Sequence, residues 1–188
     1  MEKIIEYLYD YDDRDQSYVI KLNPDRYIDI FNDLDHYPIR KRDINQDVIT
    51  YIEDCSHDID LKYKIKLEIK LAQDLENKDL EERTKKGIYT YFQYMLELSR
   101  KKKRAVINRS LGFILVFILL AFVTFYIESS NVSINKVLFK TIIEGFSVGC
   151  WVFLWEAIAG LVFKNRENLI TIKTYKRLLN CRIQFIYR

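Results

Sequence analysis

Two apolar runs, Leu111–Ile127 and Leu138–Phe163, stand ten residues apart, and basic residues flank the pair on its outer sides. The first run carries no charge over 17 residues. As a helix it would cover roughly 26 Å, close to the ~30 Å hydrocarbon thickness of a bilayer. Its core, LGFILVFILLAFVTF, has no polar face to offer water, whereas a helix of a globular domain normally has one. The second run is longer and is interrupted by Lys140, Glu144 and Glu156. Its cleanest stretch, Gly145–Phe163, leaves Lys140 and Glu144 at the outer interface and Glu156 inside. A two-helix transmembrane hairpin follows, with spans of about 111–127 and 143–163. The first run begins past residue 110, too late for a cleaved signal peptide.

The flanking charges orient the hairpin. Lys101, Lys102, Lys103, Arg104 and Arg109 precede the first span and Lys164 and Arg166 follow the second, while the loop between carries Lys136 alone. Basic residues stay on the cytoplasmic side, so both termini are expected in the cytoplasm, with the chain multi-pass in the cell's inner membrane. Residues 1–99 hold 15 Lys and Arg against 23 Asp and Glu, whereas residues 100–188 hold 15 against 4. The acidic portion is a poor partner for phosphodiester backbones, which argues against nucleic acid. The basic portion suits an anionic lipid surface.

Outside the spans the pattern is α+β. Leu61–Leu71 alternates Leu, Tyr and Ile with Lys and Glu over eleven residues, a strand with one buried face; Ser17–Leu22 is a second strand and Cys181–Tyr187 a third. Asn23-Pro24 reads as the start of a short helix to about Asn32, and Asp43 or Asn45 to about Asp54 as another. A helix from Lys78 is expected to run to Arg109 and into the first span, with Gly87 as an interruption; Leu169–Leu179 should form a helix on the cytoplasmic face. MEKIIEYLYDYDDRDQ reads either as a short helix or as a strand turning at Asp12 to Gln16 into SYVIKL. The resulting architecture has a cytoplasmic α/β domain at 1–100 with a small sheet of about three strands. The hairpin occupies 101–163, and a helix and strand at 164–188 pack back onto the first domain and complete its sheet.

Within the second span, Gly145, Gly149, Glu156 and Gly160 fall within about 60° of one another on a helical projection. Gly145 and Gly149 form a GxxxG pair that permits close helix approach, so this stripe is a candidate homo-oligomer contact, with the Glu156 carboxyl turned to protein instead of lipid. Trp151 and Trp155 lie too deep for an interfacial belt and read as packing residues. Arg40, Lys41 and Arg42 make a compact basic loop in an acidic domain, a candidate anion-binding loop.

No catalytic motif accompanies the hairpin. Cys55 and His57 have no CxxC or HxxxH context, which argues against a metal site, and three cysteines do not form a disulfide framework. Gly87 is the one glycine outside the spans and their edges, so a glycine-rich phosphate cradle in its usual form is absent and no cofactor is expected. The acidic runs Asp10–Asp15 and Glu53–Asp60 lack calcium-loop spacing and read as solvated faces.

LNPDRYIDIFNDLDHYPIRKRDINQDVITYIED together with EGFSVGCWVFLWEAI resembles a group of small bacterial two-span membrane proteins of uncharacterised activity. The matching residues are Phe31, Asn32, Arg42, Asp43, Tyr51, Ile52, Glu144, Gly145, Gly149, Trp151 and Trp155. The resemblance implies a strand leading to a Phe-Asn helix, a basic-acidic loop and a glycine- and tryptophan-containing second span, and it implies no activity. The expected function is a membrane-anchored binding or scaffold protein with a cytoplasmic protein or small-ligand partner. Alternatives are an oligomerising effector or channel gated by its cytoplasmic domain and, least favoured, a membrane enzyme.

Overall fold

A computed structural model describes residue 5, residues 7–129 and residues 136–188 of the chain, with side chains from residue 140 in the last segment. Residues 1–4 and 6, and residues 130–135, lie outside the described residues, so the ambiguity at MEKIIEYLYD is settled only from Asp10 onward. The elements are β1 (Asp10–Asp12), β2 (Ser17–Leu22), α1 (Gln46–Asp58), β3 (Lys64–Leu71), α2 (Lys78–Ser129), α3 (Lys136–Ala159), α4 (Asn165–Leu179) and β4 (Arg182–Tyr187). They form two compact units, residues 1–98 with 171–188, and residues 99–170.

The first unit is built on a four-stranded mixed sheet in the order β1-β2-β3-β4. The hairpin β1–β2 is antiparallel, and its turn places Gln16 at φ 49°, a conformation more natural to glycine. β3 lies parallel to β2, with Ser17 opposite Lys64, and β4 lies parallel to β3, with Lys66 opposite Arg182. Alternation sends Tyr18, Ile20, Leu22, Ile65, Leu67, Ile69, Leu71 and Ile183 into one core, and Lys21, Lys64, Glu68 and Arg182 to the other face. Ile49 and Ile52 of α1, Ile88 and Phe92 of α2, and Tyr175 and Leu178 of α4 close that core.

Several boundaries differ from the sequence expectation. The sheet has four strands, because Asp10–Asp12 pairs with β2. β3 begins at Lys64 and not at Leu61: the Asp60 carboxylate accepts from the Lys62 amide at 3.1 Å and the Asp60 carbonyl from the Tyr63 amide at 3.0 Å, which folds the preceding residues into a turn. The helix expected from Asn23-Pro24 is reduced to one 3₁₀ turn, Tyr27–Ile30, capped at Arg26 by the Asp29 carboxylate. Phe31 then pairs with Ile44 in an isolated bridge, which requires extended backbone and ends the turn. Helix α1 is capped by Asn45, whose side chain accepts from the Asp47 amide, and it continues one turn beyond the expected Asp54.

Gly87 does not interrupt α2. A Cβ there would meet the Ile39 carbonyl oxygen at 2.5 Å and the Phe31 ring at 2.8 Å, so the absent side chain is what lets the 31–39 segment lie directly on the helix. The C-terminal tail is tied down by side chains. Tyr89 donates to the Cys181 carbonyl at 2.9 Å, and Tyr187 donates to Glu81 at 2.6 Å. The Tyr187 hydroxyl has a single proton, so the 2.6 Å contact with Tyr27 is donated by Tyr27.

The second unit holds the rest of α2 and, beyond residues 130–135, α3, which continues through a π turn at Gly160–Lys164 into the start of α4. Two helices here are long and apolar enough to cross a membrane. They run antiparallel: Gly160 sits against Ser110, and the Phe113 and Phe153 ring centroids are 6.0 Å apart. Cys150 and Ala157 are buried, as are Ser110 and Thr124, while Leu115, Ile118, Phe122 and Phe125 lie exposed on α2, with Trp151, Val152 and Trp155 on α3.

Candidate functional site

The predicted intramembrane stripe separates into two environments. Gly160 faces the partner helix within the chain, where a Cβ would run into the Ser110 hydroxyl. Gly145 and Gly149 have nothing within 4 Å of the position a Cβ would take, and Glu156 is exposed. The hairpin contact follows Cys150, Ala157 and Gly160; at 100° per residue Cys150 and Ala157 lie roughly 100–120° around the helix from Glu156, so the contact face is centred beside the stripe and takes in only its Gly160 edge. Within one chain the Glu156 carboxyl therefore does not face protein. Trp151 and Trp155, 69% and 65% exposed, do not pack within it either.

The flanking cations Lys101, Lys102, Arg104, Lys164 and Arg166 are exposed, with Lys103 partly covered. The Arg109 guanidinium lies over the Phe113 ring, 5.4 Å from its centroid, a cation–π contact at the end of the apolar stretch.

Arg40 and Lys41 belong to a 3₁₀ turn, Ile39–Lys41, and Arg42 follows it. The structure adds Arg83 of α2 and His36, so that a hollow of about 360 Å³ is bordered by three arginines, a histidine and the Tyr37 ring. Part of this donor set is already engaged: Arg42 Nε donates to the Tyr37 carbonyl at 3.1 Å, and Arg83 pairs with Asp79 at 2.7 Å. Asp35 anchors the loop by accepting from the Tyr37 and Asp43 amides, and these hydrogen bonds hold its carboxyl below the usual carboxylate range.

The acidic runs have structural partners. Asp10 pairs with Lys21, Asp12 with Lys66 at 2.8 Å and Asp15 with Arg182 at 2.8 Å, while Glu53 accepts from Tyr175 at 2.5 Å and Asp58 from Tyr9 at 2.8 Å. Lys66 is only 7% exposed, so Asp12 supplies the counter-charge that makes its burial tolerable. Among the described residues no three His, Cys, Asp or Glu side chains gather as a metal site would require. Cys55, Cys150 and Cys181 are free and buried, and burial pushes the Cys181 thiol up to about 12, which disfavours the nucleophilic thiolate.

One constellation was not visible as a motif. Arg177, in the basic helix segment KTYKRLL, is drawn inward and donates to the Ser56 hydroxyl at 2.8 Å, to the Ile59 carbonyl at 3.0 Å and to the Asp60 carbonyl at 2.8 Å. These groups lie at the C-terminal end of α1, where carbonyls lack helical partners and a cation is favoured. Around Arg177 lie Lys64, Asn180 and Arg182 on one side and Lys62, Lys173 and Lys176 on the other. No family model, curated protein or solved structure matches the chain.

Proposed function

We propose that the chain is a membrane-anchored binding or scaffold protein. Its two apolar helices form a hairpin in the inner membrane, both termini are cytoplasmic, and the α+β unit is the cytoplasmic module that recognises a protein or small-ligand partner. The carrying observation is the uncovered apolar surface of the second unit: Leu115, Ile118, Leu119, Phe122, Phe125, Trp151, Val152 and Trp155 are all more than half exposed. Removing large side chains from water is worth about 1.5–3 kcal/mol each, so eight left in water represent on the order of 10 kcal/mol that lipid would recover. The basic clusters at the outer ends support the orientation.

The test is carbonate extraction combined with site-specific labelling. The protein should stay with the membrane at alkaline pH. A membrane-impermeant maleimide should label Ser133→Cys in intact cells and Arg188→Cys only after lysis. Release by carbonate, or the reverse labelling order, overturns the reading.

The open surface at Gly145 and Gly149, with Glu156 exposed beside it, favours a second reading. Here copies of the chain assemble through the second span into an oligomeric effector or channel gated by the cytoplasmic domain. Overexpression should then depolarise the membrane, and Gly149→Leu should abolish the effect. A monomer in mild detergent that leaves the potential unchanged rejects it.

A further inference from the structure

The parallel strands β2, β3 and β4 all begin at one end of the sheet, at Ser17, Lys64 and Arg182, and α4 ends beside them at Leu179, with Asn180 in the turn that follows. Two hollows open there and share Arg177 and Asn180 as a common wall. One, of about 320 Å³, is bordered by Ser17, Lys64, Ile65 and Arg182, with Asp15 paired to Arg182. The other, of about 520 Å³, is bordered by Leu61, Lys62, Lys173 and Lys176. Both fall within the range of small-ligand sites. Six cations therefore converge on a short stretch of surface, against Asp15 and the Asp60 carboxylate that stands 4.0 Å from Lys62 Nζ. This happens in a domain whose first 99 residues are predominantly acidic. Like charges gathered in a concave, low-dielectric surface repel one another unless an anion joins them.

A second observation points the same way. Ser17 is 3% exposed and its hydroxyl has no hydrogen-bond partner; Arg177 Nε is likewise buried without one, although the terminal nitrogens of the same guanidinium are fully engaged. Buried donors left unpaired cost stability, and native structures leave few of them. Both residues border the first hollow. The Ser56, Ile59 and Asp60 contacts also hold the guanidinium in place before any ligand arrives, which lowers the ordering cost of binding. The Arg40–Arg42 hollow has no such feature: among the described residues none of its polar side-chain atoms is buried without a partner.

We propose that this double hollow binds a phosphate-bearing anion. Arg177 Nε, the Ser17 hydroxyl and Lys64 surround one phosphate group, and Lys62, Lys173 and Lys176 neutralise further charge in the adjoining hollow. Oxygens that only accept hydrogen bonds suit a wall in which donors predominate and the Asp15 carboxylate is paired to Arg182, and six cations suit more than one negative charge. Ile65 and Leu61 give the organic part of the ligand an apolar surface. The phosphate belongs either to a soluble phosphorylated molecule or to a lipid headgroup. The inference deepens the binding-module reading and rests on it.

The test uses the full chain in zwitterionic nanodiscs. In one arm, inorganic pyrophosphate and ATP are titrated calorimetrically. In the other, phosphatidic acid replaces part of the lipid and phosphate-dependent thermal stabilisation is read. Saturable binding in the first arm assigns a soluble ligand, and stabilisation in the second assigns a headgroup. In the responding arm, Lys64→Gln with Lys176→Gln, both at exposed positions, should weaken binding at least tenfold. Ser17→Ala should weaken it about threefold to tenfold, and Arg40→Gln with Arg42→Gln should leave it unchanged. No response in either arm, or equal response by the Lys64/Lys176 variant, overturns the site. A carbonate-resistant protein that binds neither probe refutes the anion site alone, whereas carbonate release refutes the anchoring reading whatever the protein binds.

Discussion

The Arg177 guanidinium donates to the Ser56 hydroxyl at 2.8 Å across 121 residues of sequence, and so fastens the C-terminal helix to the end of α1. The same group donates to the Ile59 and Asp60 carbonyls, which have no helical partner. Removing it leaves several partly buried acceptors unsatisfied at once. Arg177→Met should cost about 3 kcal/mol in urea denaturation of the soluble unit within the full chain. Arg177→Lys should recover less than half, because one ammonium cannot reproduce the planar fork. Full rescue by lysine would show that charge alone matters there.

Gly87→Ala isolates the close approach of the 31–39 segment to α2. In an exposed helix the change would stabilise by about 1 kcal/mol. Here the new methyl meets the Ile39 carbonyl oxygen at 2.5 Å, and backbone cannot turn aside as a side chain can. Net destabilisation of about 2 kcal/mol is expected, with altered proteolysis of the loop carrying Arg40 and Arg42. Any increase in denaturation midpoint contradicts the packing.

The hydrogen bond from Lys66 holds the Asp12 carboxyl below the usual carboxylate range, and Lys21 does the same for Asp10. Their folded values are depressed relative to the unfolded chain. The stability they contribute is therefore present above about pH 4 and lost as pH falls through the lower folded values. Asp12→Asn should be less stable than the parent at pH 6, with the two denaturation curves converging between pH 4 and pH 2. Curves that stay parallel would remove Asp12 from the acid transition.

Much of the sheet was legible and its assembly was not. The alternation of Leu61–Leu71 announced β3, because burial on one face leaves a period of two, and SYVIKL matches β2 to the residue although Ser17–Ile20 are buried without a break. The proline-free run from Lys78 correctly implied one helix continuing into apolar sequence. Asn23-Pro24 misled because its start signal is local, whereas the Phe31–Ile44 bridge that cuts the helix short is a tertiary contact. The parallel pairing of β4 and the cation cluster share this difficulty. Ser17, Lys64 and Arg177 come from three distant segments, and Arg177 alone reads as one more solvated charge on a basic helix.

Alkaline titration should reveal the tyrosines that tie the tail. Burial, and then the hydrogen bond to Glu53, raises Tyr175; burial and the bond to Glu81 raise Tyr187. Burial alone dominates at Tyr91, pushed up to about 12. A raised folded value contributes stability fully present below the ordinary tyrosine value of about 10 and lost as pH rises above it. Phenolate absorbance near 295 nm should thus appear in two phases, the later one coincident with loss of helical signal. Tyr187→Phe should diminish that later phase and lower stability at pH 7 by about 1 kcal/mol. A single phase near pH 10 without unfolding would mean that these hydroxyls are open to solvent.

Gly149 and Gly160 lie eleven positions apart on the continuous α3–π turn segment, yet substitution should affect different properties. At Gly160 the Ser110 hydroxyl can rotate away from an added methyl, so Gly160→Ala should be mild, whereas Gly160→Leu must push the two helices of the hairpin apart. Disulfide trapping between Phe113→Cys and Phe153→Cys, whose rings stand 6.0 Å apart in the parent, should then fail. Gly149 faces open space within the chain, so Gly149→Leu should leave that trapping intact. If copies associate through this surface, the leucine should instead shift the detergent-solubilised protein toward monomer. Loss of intrachain trapping in Gly149→Leu would place Gly149 in the hairpin contact and remove the open surface on which association rests.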